Sequence, residues 1–182
     1  MANMLTDPPF AANPPVKLNV NAKVLGLVIG ILAVIGAVFG LIGLLAAFGA
    51  CTVLGVTVAG CGTPILWILG DLVLLVGYIV GAIGGFRMYQ MNREGREWVI
   101  YGLALGVAGN LIYLIGNIVF YSSSIFGGLT VGYSGAIVGF IISLIVYFIV
   151  YYLVVIARFP GEAPMVPRSM GGYGAPPPPP PA

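Results

Sequence analysis

Asp71 is the only charged residue in the stretch ILWILGDLVLLVGYIV, which begins at Ile65. A carboxylate with apolar neighbours on both sides suggests three kinds of chemistry. It can carry a proton or hold a small cation, it can pair with a base on another chain, or it can join a hydrogen-bonded knot between helices. The other residues with chemical potential are Cys51 and Cys61, the only two cysteines, at the edges of ACTVLGVTVAGCG. A redox dithiol usually shows Cys-x-x-Cys near a helix start, and here nine residues separate the pair. The structural reading is a disulfide across a small hairpin, with free thiols as the alternative. Closing so short a loop contributes roughly 2–3 kcal/mol in the chain-entropy account. The chain has no histidine, which removes the commonest general base and metal ligand. It also lacks a glycine loop followed by lysine. We therefore expect no catalysis, no cofactor and no metal.

The elements that must position these residues follow from composition. Apolar residues make up 60% of the chain and charged residues 7%, against about a quarter charged in a soluble domain. Seven bases and five acids cannot cover a water-soluble surface of this length, and a net charge of +2 is too small to suggest nucleic acid. The apolar residues fall into four runs, about 24–49, 63–86, 98–121 and 134–157. Crossing a bilayer takes roughly 20 apolar residues as helix. Barrel strands would instead show alternating segments of about ten residues. The expected fold is an all-α, four-helix transmembrane bundle over 24–157 with short outer loops. A proline-rich tail (1–23) precedes it, and a Pro/Gly-rich tail (158–182) follows.

All seven basic residues fall before the first run, between the second and third, or after the fourth. The positive-inside rule then places both termini and the middle loop in the cytoplasm, most simply at the plasma membrane. Arg87, Arg93 and Arg96 in that loop read as contacts to lipid headgroups. The two outer loops, near 50–62 and 122–133, look like small hairpins. The final FPGEAPMVPRSMGGYGAPPPPPPA is too rich in proline and glycine to bury a core. It reads as disordered, or as a polyproline ligand for an aromatic-lined groove on a soluble partner.

Each run carries small residues at helical spacing, which let helix backbones approach closely where lipid removes any gain from apolar burial. The longest stripe is Gly26, Gly30, Ala33, Ala37 and Gly40. It exceeds what one crossing neighbour needs, so part of it is expected to meet a second copy or another membrane protein. On that reading Gly30→Leu weakens assembly more than folding, and Gly40→Leu does the reverse.

Asp71 can then be placed about 6 Å outward of the midplane, at 1.5 Å per residue. Asn110, Tyr113, Asn117 and Ser143 bracket that depth, and no base lies there. An ionised carboxylate at this depth costs at least about 2.5–3.5 kcal/mol. The five residues are therefore expected to form an intramembrane polar cluster. The resulting expectation is a non-catalytic accessory or structural subunit, or scaffold, joined to partners by its glycine faces and tail. The alternative is a small transporter or channel component that couples proton or cation movement to Asp71.

Overall fold

The computed structural model describes residues 8, 14–16, 18, 20–53, 64–123 and 130–159, with backbone only at 47–53, 64, 120–123 and 130–133. Four helices follow one another: α1 (Ala22–Val53), α2 (Pro64–Tyr89), α3 (Glu94–Ser123) and α4 (Thr130–Ile156). No strand forms among the described residues. Each helix contains a span long and apolar enough to cross a membrane: Ala22–Ala46, Ile65–Tyr89, Glu94–Val119 and Ser134–Ile156. The helices extend beyond most ends of the apolar runs. Cys51 accordingly lies on helical backbone, and so do 121–123 and 130–134, where hairpins were expected. Cys61, the centres of both loops and the proline-rich tail lie outside the described residues.

Polar caps explain where the helices begin and turn. The Asn21 side chain accepts from the Lys23 N–H at 2.9 Å and starts α1, as an N-cap does. After α2 the chain reverses in a Schellman turn. Met91 adopts a positive φ of 62°. Its N–H donates to the Met88 carbonyl, and the Asn92 N–H donates to that of Arg87. The Asn92 side chain then accepts from the Glu94 N–H at 3.0 Å and caps α3.

One end of the bundle holds Lys23, the α2–α3 turn and Arg158, and is called here the basic end. The other is the far end. At the basic end Ala22, Met88, Val99, Ile100, Val154, Val155, Ala157 and Phe159 form a buried cluster. Backbone seals it. The Ala22 N–H donates to the Arg158 carbonyl and the Arg158 N–H donates to that of Val20, forming a parallel bridge between Asn21 and Arg158. The Tyr152 hydroxyl accepts from the Val16 N–H and donates to the Val16 carbonyl. Part of each expected tail is thus built into the bundle.

Glycine sets how close α1, α2 and α3 come. A Cβ on Gly85 would lie 2.5 Å from the Gly30 nitrogen, and one on Gly102 would lie 2.7 Å from that of Gly81. The α1 stripe meets α2 of the same chain. Gly26 opposes Met88 and Gly85, Gly30 opposes Phe86, and Ala33 opposes Gly81. This corrects the expectation for Gly30, which is buried inside the fold and not on a face left for a second copy. At Gly40 the neighbours stand back, with Tyr78 3.8 Å from a built Cβ.

The fourth helix behaves differently. It is buried over Val154–Ile156 and exposed or half-exposed from Ser134 to Leu153. A Cβ on Gly135 or Gly139 would meet nothing within 4 Å. The α4 helix packs mainly on α3 and touches α1 only slightly.

Candidate functional site

The polar side chains inside the spans are positioned by the two faces of α2. Gly70, Gly77 and Gly84, spaced by seven, face α3: built Cβ atoms there would strike Gly109 and Tyr113, Gly102 and Gly106, and Trp98 and Val99 respectively. Asp71 is one residue beyond Gly70, so it is turned about a quarter of a helical circle away. Leu75 and Tyr78 share its face, and that face meets α1. Tyr78 packs on Gly36, Leu75 lies by Gly40, and the Asp71 carboxylate lies 4.0 Å from a Cβ built on Gly43.

The expected cluster is therefore only partly assembled. Asn110, Tyr113, Asn117 and Ser143 line one crevice of about 250 Å³ between α3 and α4, together with Gly135 and Gly139. Asp71 is not among them. It has no hydrogen bond or ion pair among the described residues, because rotation carries it to the α1 side. The remaining polar groups mostly satisfy themselves along their own helices. Asn110 Nδ2 donates to the Gly106 carbonyl at 2.9 Å, Asn117 Nδ2 to that of Tyr113 at 2.9 Å, and Ser143 Oγ to that of Gly139 at 2.9 Å. The Tyr113 ring stacks on Trp67 with centroids 6.3 Å apart.

A second and larger cavity of about 350 Å³ lies at mid-depth among all four helices. Ser143 lines both cavities. Its polar wall is a group the sequence reading overlooked. Asn110 Nδ2 donates to the Tyr147 hydroxyl at 3.0 Å, and Tyr147 and Tyr78 line the same cavity. The available signal was depth. Most membrane tyrosines sit at the interface, but Tyr78 is next to the centre of Ile65–Tyr89 and Tyr147 is two residues from that of Ser134–Ile156.

No protein family, no curated protein and no solved structure matches the chain. Among the described residues no three His, Cys, Asp or Glu side chains stand close enough to hold a metal ion.

Arg96 and Arg87, expected at lipid headgroups, have internal roles as well. Arg96 Nη2 donates to the Ala157 carbonyl at 2.6 Å, satisfying a group that the end of α4 leaves without a helical partner. Its guanidinium also lies 5.2 Å from the Phe159 ring centroid. Arg87 pairs with Glu94 at 3.3 Å in an exposed bridge and lies 5.0 Å over Trp98. Arg93 is in the turn between α2 and α3. Lys23, from the opposite side of this end, lies 5.3 Å over Tyr89.

Proposed function

We propose that the chain is a non-catalytic, four-pass membrane protein that serves as an accessory or structural subunit. It joins a second copy or another membrane protein along the far half of α4. The observation that carries this reading is the contrast between glycines. Gly70, Gly77, Gly84 and Gly85 of α2 are pressed against neighbouring backbone, whereas Gly135 and Gly139 meet nothing within 4 Å. Both line the open crevice between α3 and α4, and a helix laid into that opening gains close van der Waals contact. On this reading the basic end faces the cytoplasm of a cell bounded by the plasma membrane. The far loops face outward, where an oxidising compartment joins Cys51 to Cys61. The proline tail is then free to meet a soluble partner.

The test is capture in native membranes with a photo-crosslinking residue at Ile137, in wild type and in Gly139→Leu. The wild type should be captured with itself or with a distinct membrane protein. Gly139→Leu should lose that product while its thermal unfolding in detergent stays unchanged. Absence of any product in the wild type would end the assembly reading.

The transporter reading retains one supporting observation, two cavities that share Ser143 in their walls. Asp71 lines neither. Proton or cation flux in liposomes that disappears in Asp71→Asn would replace the accessory role with transport.

A further inference from the structure

The 350 Å³ cavity has features that select an occupant. None of its lining residues is charged. Three of them, Leu32 on α1 and Ile142 and Val146 on α4, remain 62%, 56% and 50% exposed. Side chains that line a cavity while showing half their surface outside it mark its mouth. Leu32 and Val146 both lie close to the centres of their spans, so the mouth opens sideways at hydrocarbon depth. Toward the basic end the way is shut by Met88, Val154 and Val155, all essentially inaccessible. What reaches the cavity through this mouth is already dissolved in the bilayer.

The polar wall narrows the chemistry further. Two phenols hold two O–H donors. The amide of Asn110 supplies its own proton to Tyr147, so that bond uses neither phenolic donor. At least one phenolic O–H is therefore available to an acceptor in the cavity. An ion would meet no opposite charge here, and a bare charge is strongly disfavoured at this depth. A pure hydrocarbon would leave the phenol unsatisfied, which is also unfavourable. The volume is at the lower end of the roughly 300–1,000 Å³ of small-molecule sites.

We propose that this cavity binds a neutral lipid with a single hydroxyl or carbonyl oxygen, which enters between Leu32 and Val146 and is recognised by the Tyr78–Tyr147 pair. The site is independent of assembly through Gly135 and Gly139.

The test uses the full chain in phosphatidylcholine nanodiscs containing a long-chain alcohol that bears a diazirine. The carboxylic acid and the plain hydrocarbon with the same diazirine serve as comparators. After irradiation, labelled peptides are mapped by mass spectrometry. The alcohol should label the peptides around Leu32 and Val146 several-fold above those around Phe39 and Phe148, which face outward. Excess untagged alcohol should remove that label. The acid and the hydrocarbon should mark only the outward face. Tyr147→Phe should reduce the preference for alcohol over hydrocarbon several-fold. Val146→Trp, which fills the mouth from an exposed position, should abolish the competable label without changing the melting temperature. Ile142→Trp provides the same block from a second position. Even labelling of all outward peptides, uncompeted and indifferent to both tryptophans, would overturn the site. Equal labelling by the acid would overturn its selectivity for a neutral ligand. Loss of the Ile137 crosslink in Gly139→Leu should leave this labelling intact, so the two readings fail separately.

Discussion

The two ends of α4 belong to one apolar span and are packed very differently. At the basic end Val154 and Val155 are fully packed, and the Ala157 carbonyl receives Arg96. Toward the far end Gly135 and Gly139 face open space, and the side chains around them are exposed. The difference shows what drives closure in this setting. Within lipid an apolar side chain gains little by leaving the tails for another side chain. Near the interface, water restores the hydrophobic effect, and helix ends leave backbone groups that need partners. The far edge of the span, at Ser134, offers the same two causes, but among the described residues no neighbour reaches Gly135 or Gly139 there.

The strongest way to break that comparison is to place the same side chain in both settings. Gly85→Leu forces Gly30 backbone away from a contact at 2.5 Å. It should cost about 3 kcal/mol or more, at the upper end for overpacking. Gly139→Leu should change the stability of the isolated chain by no more than about 0.5 kcal/mol. Unfolding in detergent, followed by circular dichroism, measures both, and similar losses would mean that α4 is packed along its length.

A smaller effect is expected at the seal itself. Arg96→Ala removes a charged donor from the Ala157 carbonyl and a cation from the Phe159 ring. The loss should be about 2 kcal/mol, in the range of hydrogen bonds to charged groups. Arg96→Lys should recover only part of it, because a single ammonium does not reproduce the planar fork. Full recovery by lysine in the same assay would reduce the seal to simple charge.

Weaker again is the bond between Asn110 on α3 and Tyr147 on α4. Tyr147→Phe and Asn110→Leu, taken singly and together, should show a coupling of about 0.6 kcal/mol, typical of hydrogen bonds inside membranes. Additivity in that double-mutant cycle would mean that the two side chains do not act together. The smallest effect is expected at Asp71→Asn, within about 0.5 kcal/mol on the isolated chain. A carboxylate with no partner among the described residues loses no bond to any of them. A large loss would show that Asp71 holds the α1–α2 contact.

Much of this architecture is legible in the sequence. The four apolar runs mark the spans, and the glycines of α2 mark a close contact. The helix ends were less visible, because Asn21 and Asn92 cap helices in polar sequence that a search for apolar residues ignores. Asp71 was misplaced for a different reason. A helix that is apolar on every side has no polar face to orient it, so depth alone was used to group residues. The glycines at 70, 77 and 84 carried the missing rotation. Spacing has limits as well: Gly135 and Gly139 repeat as the α1 glycines do, yet no neighbour comes near them. The Asn110–Tyr147 bond joins two helices whose relative rotation no local pattern encodes.

The bridge between Asn21 and Arg158 also has a consequence in time. It links segments that the ribosome makes at nearly opposite ends of the described chain, with Val16 and Tyr152 136 residues apart. The first three helices can pair as each emerges, since α1 meets α2 and α2 meets α3. The seal has no partner strand until α4 has been inserted. During synthesis the protein therefore passes through a three-helix stage whose central chamber is open along one side. The arrival of α4 adds the fourth wall of that chamber and leaves the mouth between Leu32 and Val146 open.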